Sequence, residues 1–497
     1  MSIKSNYIYT VTLTLSELVF PLITFPYVTR VLGPTGIGAV NFATSFIGYF
    51  ILFAALGINI YGQREAAKYR TDKAGLSKAF NQILLIHILS TVLFFLIYSA
   101  IILSFDKFRH DILLFATAGV YLLLNAFSIE WFFLGIEQFR YITFRSVITR
   151  IIFTLAIFIF IKEKSDYILY YILIAISTSI PFIINIIYAK KVVVFSFRSF
   201  YNRKEIAKHL KDLVYSSLYM SITSIYTSFS IVYLGFISTE TNVGYFSVAN
   251  KLFSVVLSFF TALTIVLYPH LSSLMAQNNL KEFKRLIEKS FEIFIPVSIA
   301  IVVISILVSN EVVHLFSGDK FKNSVPVLQL FMPLVIVVGL AQIYVSQILF
   351  PLKKDKDVLI NSAVVAIISI GLNIIIVTRF SLMGAIITLL ISETIMTILL
   401  GIKVYRYQKI MPSPTLILKN ILLSIPYILL FKLIRLMVIS DIGTLLAMTF
   451  LSFAYFIIIQ CFVVKNESIN TVAFETLSKL KLQITNKAIY IRNIRKS

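Results

Sequence analysis

The stretch TFPYVTRVLGPTGIGAVNFA, Thr24–Ala43, ends one apolar run on an arginine, Arg30, and starts another after a Leu-Gly-Pro cluster. In water the pattern reads as helix, turn, helix. In a bilayer it reads as two spans joined by a tight turn, with a permanent charge where charge is costly and usually functional. The rest of the chain decides between these settings.

The chain has 497 residues, 58% hydrophobic and 14% charged, with a mean hydropathy of +0.90. Water-soluble domains carry about 25% charged residues, so a soluble globular fold is excluded. Fourteen apolar runs recur, at 7–30, 38–61, 82–105, 112–134, 143–161, 168–189, 214–236, 246–270, 291–309, 327–350, 358–378, 383–402, 417–438 and 443–463. Each is long enough to cross a hydrocarbon core of about 30 Å. With no water there to satisfy the backbone, such runs form helices. The expected fold class is an all-α polytopic membrane protein with 14 transmembrane helices.

The net charge of +22 raises the question of nucleic acid. With the N-terminus inside, the cytoplasmic segments hold about four times as many Lys and Arg as the outer loops, which is the positive-inside pattern. It places both ends of the chain in the cytoplasm. Basic segments such as Lys190–Lys211 and Lys479–Lys496 then lie against anionic lipid heads, and no nucleic-acid partner is expected. The N-terminus lacks a signal-peptide cleavage site, so the first helix is expected to stay. The single cysteine, Cys461, rules out an internal disulfide, and the five scattered histidines lack metal-ligand spacing.

The chain repeats itself. GIGAVNFATSF from Gly36 resembles NVGYFSVANKLF from Asn242, matching Gly38 to Gly244 and Ala43 to Ala249. At nearly the same offset of about 206, TDKAGLSKAFNQ from Thr71 matches NNLKEFKRLIEK from Asn278. Both are basic and amphipathic, and are expected to lie along the cytoplasmic interface. GIEQFRYITFR from Gly135 and PLKKDKDVLIN from Pro351 each lead a turn into a span. The organisation that follows is an N-lobe of helices 1–6 (1–189), a basic cytoplasmic linker (190–213), a C-lobe of helices 7–12 (214–403), helices 13–14 (404–463) and a basic tail (464–497). Repeated halves are a common transporter plan, with the substrate path expected at their interface.

Helix 1 carries Thr10, Thr14 and Glu17 on one face, and helix 7 carries Ser217, Ser221, Ser224 and Ser228 at the same spacing. Such small polar faces also serve close helix packing. Glu17 and, in the twelfth span, Glu393 are deep carboxylates, costly unless paired, protonated or wet. Pro21 and Pro26 free backbone carbonyls and let helix 1 bend. These four are the candidate ion-coupling or gating residues. Thr14, Asn41, Ser221 and Ser224 are candidate polar lining. Among the cations, Arg30, Lys251, Arg145 and Arg150 are the candidate binding residues. Lys432 and Arg435, near the outer end of helix 13, are expected to snorkel. Arg30 and Lys251 stand near the outer side, one in each half, beside the repeated motif. They would suit an anionic group, since Arg grips phosphate oxygens bidentately.

FPYVTRVLGPTGIGAVNFA, EWFFLGIEQFRYITFR from Glu130, and GYFSVANKL from Gly244 resemble bacterial oligosaccharide flippases of the O-antigen type. These belong to the MATE-like multidrug/oligosaccharidyl-lipid/polysaccharide exporter superfamily. The resemblance covers nearly the whole chain. It implies two six-helix lobes in a V-shaped arrangement around a cationic cavity, plus two appended helices. It further implies translocation of undecaprenyl-diphosphate-linked oligosaccharide from the inner to the outer leaflet of the plasma membrane. The implied partners are that lipid-linked glycan, the bilayer, and the polysaccharide polymerase and chain-length machinery. Arg30 and Lys251 would be cavity residues, while Glu130, Trp131 and Arg145 would be structural or entry-side residues. No fixed family position matches Glu17 or Glu393.

No GxxxxGK[ST] sequence is present, so no phosphate-cradling ATP site is visible and no cofactor is expected. A proton or sodium gradient, or consumption of product outside, remains to drive transport. Rival readings are an exporter of drugs or of the peptidoglycan precursor on the same fold, and a membrane polymerase or glycosyltransferase. Such enzymes usually display a large outer loop or paired acids. The longest outer loop here, near Ser309–Ser324, holds only Glu311 and Asp319.

Overall fold

The computed structural model describes residues 3–196, 228–438 and 440–470, with residues 206, 207, 209, 210, 213, 222 and 224 between the first two stretches. Most of the expected span 214–236, half of the linker 190–213, Ser217, Ser221 and the basic segment Lys479–Lys496 lie outside the described residues. Every regular element described is helical. Eleven helical stretches are long and apolar enough to cross a membrane, and two contain a backbone break, at Gly33 and at Ser381. The chain is a multi-pass, all-helical membrane protein with about eleven to fourteen apolar helices.

The described residues form two compact units. The first takes in the chain up to Leu252, with Phe316–Val327 and Leu359–Ser392. It opens with α1, Ile3–Ala55, interrupted at Gly33, where φ is 72° and ψ −178°. Only glycine enters that region without strain, and Pro34 then starts a new helix with φ preset and no amide to satisfy. The two arms run in opposite directions. At one end of α6 (Phe139–Phe160), Thr143 donates to Tyr9 O at 3.0 Å; past its other end, Tyr27 donates to Ile161 O at 2.7 Å. The second arm descends along α3 (Lys73–Ser104), with Phe46 against Tyr98 and Phe53 against Phe94. The expected hairpin is therefore present.

The bend lies elsewhere than expected. The backbone stays helical through Pro21 and Pro26 and leaves the helix at Gly33. Side chains use the Pro26 carbonyl, which accepts from Arg30 Nη1 at 3.0 Å and Thr29 Oγ1 at 3.1 Å.

The end of this unit nearer the turn at Gly33 holds an aromatic nest, and the far end is the inner one by the orientation expected from sequence. Phe42 and Phe46 pack with Phe108, with Phe115 of α4 (Ile112–Asn125) and with Phe236 of the short helix α8 (Ser228–Ile237). Its inner end is knit by α2 (Ile58–Lys68) crossing α5 (Glu130–Gly135). There a Cβ on Gly62 would sit 2.5 Å from the Trp131 ring, and one on Gly135 would sit 2.6 Å from Gln63 O. Trp131, Phe80, Phe132 and Phe133 form the buried cluster around the crossing. The described part of the linker docks here, with His209 bridging Tyr61 at 2.6 Å and Gln82 at 3.1 Å.

The basic segments from Thr71 and Asn278, expected along the interface, are instead the first turns of helices that continue into the apolar runs. Asp72 caps α3 and Asn279 caps α10 (Leu280–Leu307), each accepting a backbone N–H two or three residues on. Nothing breaks the helix after either cap, so the amphipathic turns and the span form one rod.

The second unit comprises Phe253–Leu315, Leu328–Val358 and the described residues from Glu393. In it α10 packs on α16 (Pro414–Leu422) and α17 (Ile425–Met437), and α17 packs on α18 (Asp441–Ile458). Gln460 Nε2 bonds Asn420 Oδ1 at 2.7 Å in the buried interior. Arg435 does not simply snorkel. Its Nη2 comes within 2.8 Å of Oε1 of Glu311, which is 1% exposed, as an ion pair without the alignment of a hydrogen bond. Asp441 contacts both His314 and, at 3.8 Å, Arg435.

Two stability outcomes follow. Gly62→Leu forces its side chain into Trp131 and should cost about 1–3 kcal/mol, read as an earlier thermal melt in detergent. Arg435→Ala leaves the buried Glu311 unpaired, at a cost of about 3–5 kcal/mol. Adding Glu311→Gln should restore most of that melting temperature. No recovery in the double variant would show that the pair is not the source of the loss.

Candidate functional site

The turn at Gly33 is where the repeated motifs meet. The second arm of α1 crosses the first turns of α9 (Glu240–Ala276) with backbone against backbone. A Cβ on Gly38 would lie 1.7 Å from Glu240 O, and one on Gly244 would lie 2.0 Å from Pro34 O. The contacts are reciprocal. Glycine 38 sees the residue four before glycine 244, and glycine 244 the residue four before glycine 38. On the local axis between them, Thr35 Oγ1 and Thr241 Oγ1 are 3.0 Å apart, a sequence separation of 206. The sequence offset that aligned Gly38 with Gly244 is thus a local two-fold contact in space. Small residues allow such close approach where no hydrophobic force drives helices together.

The two cations singled out beside the motif stand near this crossing. Along α9, at 1.5 Å per residue, Lys251 is about 10 Å from Gly244, and Arg30 stands three residues before the break at Gly33. Arg30 is exposed, with its side chain beside Gly318, 3.5 Å from where a Cβ would stand. Lys251 is half-buried on α9. Asn41, one turn past Gly38, turns its amide back onto Ile37 O at 2.8 Å.

The other candidates separate into engaged groups. Glu17 is exposed and pairs with Arg150 at 2.9 Å; Arg150 also bonds Ser16 Oγ and, at 3.2 Å, Leu13 O. The two residues named for separate roles thus form one clamp between α1 and α6. Arg145, 8% exposed, is held by Glu130 at 2.8 Å, by Ser146 at 2.9 Å and by Asn185. A buried guanidinium so compensated fixes α5, α6 and α7 (Tyr167–Ala189) to one another. Thr14 is exposed and bonds Thr10 O at 3.1 Å. Ser224 is half-buried, and Glu393 is 6% exposed within α15, Thr378–Gln408.

The sequence reading missed the threonine pair and the acids around the crossing. Tyr167 donates to Asp111 at 2.5 Å, and the Glu240 carboxyl is within hydrogen-bonding reach of Asp111. The shared offset of Thr35 and Thr241 was visible in the sequence; the partners of Asp111 stand at the first turns of the distant helices α7 and α9 and were not. Among the described residues no group of three or more His, Cys, Asp or Glu side chains is placed to hold a metal ion.

Comparison with known proteins agrees with this architecture. Two curated proteins share the name "Putative O-antigen transporter". The one from Escherichia coli (strain K12) is 27% identical over 407 residues, 80% of this chain and 96% of its own length. The one from Shigella dysenteriae is 24% identical, covering 68% of this chain and 83% of its own. Among solved structures, the lipid II flippase MurJ in an inward closed conformation superposes with a TM-score of 0.71 at 15% identity, over 91% of this chain and 99% of that one. An inward-facing multidrug resistance MATE transporter of the MOP superfamily gives 0.62 at 17% identity, over 79% and 96%. These likenesses show the fold. The family model described as "Polysaccharide biosynthesis protein" matches residues 3–275, more than half of the chain, and the protein belongs to that family.

Proposed function

We propose that this protein is a flippase. It would carry undecaprenyl-diphosphate-linked oligosaccharide from the cytoplasmic to the outer leaflet of the bacterial plasma membrane by alternating access, driven by an ion gradient. The reading draws on the family, on the transporter names of the curated relatives and on the MurJ and MATE fold. The observation that carries it is the reciprocal glycine crossing above Arg30 and Lys251.

The chemistry follows from what must cross. A diphosphate and a chain of sugars cannot enter hydrocarbon without a large desolvation cost, whereas a polar path open to one side at a time avoids most of it. The polyprenyl tail can stay in lipid. Arg30 and Lys251, beneath the outer crossing, supply charge for the diphosphate, and Arg can take two of its oxygens at once. Thr14, Asn41, Ser221 and Ser224 offer polar lining for the sugars. The crossing is the closure that must part for release outside. No side chain stands between the backbones; van der Waals contact and one hydroxyl pair join them, with the Asp111–Glu240 contact and the Phe42–Phe236 packing beside the crossing. The Glu17–Arg150 pair and Glu393 are the groups on which proton or sodium coupling would act. The proposed organisation is fourteen spans in two six-helix lobes, with helices 13 and 14 appended.

The test is a leaflet assay in cells lacking their own flippase. Lipid-linked repeat units should accumulate on the outer leaflet with the wild type. With Arg30→Ala at matched expression they should stay on the cytoplasmic leaflet, lowering transport at least about tenfold, the scale of losing a charge-assisted hydrogen bond. A wild type that moves nothing but alters glycan length or linkage would overturn the flippase reading in favour of an enzyme.

A further inference from the structure

Away from the crossing, α6 and α7 enclose an apolar groove of about 370 Å³. Its walls include Ile148, Ile152 and Ala156 on α6 and Ile176, Ile180 and Ile184 on α7, with Arg145 at one end. The two hydroxyls along it are turned onto their own helices, Thr149 to Arg145 O and Ser177 to Ile174 O. The walls therefore offer nothing to a polar ligand and suit a hydrocarbon chain.

Length and charge identify the chain. From Leu173 to Ile184 the groove follows α7 for about 16 Å at 1.5 Å per residue, close to half of a hydrocarbon core of about 30 Å. That is about the length of one acyl chain, and the Arg145 end of the groove lies toward the cytoplasmic ends of α6 and α7, about five residues short of Ala189. Arg140, on the first turn of α6, stands on the same stripe as Phe144 and Ile148 and is exposed. Lys190 and Lys191 follow the end of α7 on the same side. The nearby acids are already engaged, Glu130 with Arg145 and Glu137 with Arg70 at 2.7 Å. Deeper in, Arg145 Nε and Asn185 Nδ2 are buried donors with no acceptor among the described residues. The exposed Arg140, Lys190 and Lys191 thus leave a surplus of positive charge at the inner ends of α6 and α7, which calls for phosphate oxygens.

We infer that this groove binds one acyl chain of an anionic glycerophospholipid of the cytoplasmic leaflet, with the lipid phosphate at Arg140, Lys190 and Lys191. The chain gains no hydrophobic energy by leaving the bilayer, because lipid tails are as apolar as the isoleucines. Retention therefore comes from packing in the groove and from the head group, and three cations favour an anionic over a zwitterionic lipid by at least about tenfold. The inference stands apart from the transport reading, since it concerns the lipid that holds α6 and α7.

The experiment uses the full-length protein in nanodiscs of mixed phosphatidylglycerol and phosphatidylcholine, with retained lipid counted by native mass spectrometry. A phosphatidylglycerol carrying a photoreactive acyl chain maps the contact. The wild type should retain phosphatidylglycerol at least about tenfold over phosphatidylcholine and crosslink within 148–184. The triple variant Arg140→Gln, Lys190→Gln, Lys191→Gln should bring the two lipids to parity. Ala156→Trp, which fills the groove, should abolish the crosslink without lowering the melting temperature. If Ala156→Trp melts early, Ser177→Leu fills the same groove from the facing wall and is read in the same way. Equal retention of both lipids by the wild type, or crosslinks spread over all helices, overturns the inference. So does preferential labelling of 148–184 by a photoreactive polyprenyl phosphate, which would make the groove a substrate-tail site.

Discussion

Two glycines, 206 residues apart, let two helices touch backbone to backbone, and much of the first unit is arranged around that contact. Gly38 has the Glu240 carbonyl where a Cβ would be, and Gly244 has the Pro34 carbonyl. Any larger residue at either position separates the helices. The contact also requires the turn at Gly33, because only a break there starts the second arm at Pro34 and presents its first carbonyl to α9. The neighbouring Phe42, against which a Cβ on Gly235 would come within 2.1 Å, fixes α8 to the same arm.

A contact of this kind is close but not strong. In a membrane, burying apolar surface between helices gains little, and association depends on packing and on a few hydrogen bonds worth about 1 kcal/mol each. A crossing joined by one hydroxyl pair and two carbonyl–glycine contacts suits the opening part that the proposed transport requires. The charged clamps elsewhere are different. Arg145 with Glu130, Arg150 with Glu17, and Arg435 with Glu311 each join separate helices. Arg145 and Glu311 are buried, and leaving either uncompensated costs several kcal/mol; the exposed Glu17–Arg150 pair contributes less.

The fold class, the hairpin and the repeat were legible because they rest on local pattern: apolar runs of membrane length, a Gly-Pro turn and a recurring glycine motif. The helical course through Pro21 and Pro26 was not, because a proline weakens a helix without specifying that it breaks. The partners of Glu17, Arg145 and Arg435 were also hidden. Each lies on another helix, at a separation that tertiary packing sets. A carboxylate in an apolar run signals that it needs a partner, yet the run alone cannot say which cation arrives. The segments at Thr71 and Asn278 show the opposite failure. Amphipathic composition suggested surface helices, while the absence of any breaker after their caps carried them into the spans.

The account stands most directly on whether the crossing opens during transport. In a Cys461→Ala background, Thr35→Cys and Thr241→Cys place two thiols where hydroxyl oxygens now lie 3.0 Å apart. Oxidation should join them, stop outward movement of lipid-linked repeat units in the leaflet assay, and be reversed by reductant. Undiminished transport with the disulfide closed would contradict the account, because the crossing would then not be a closure that parts.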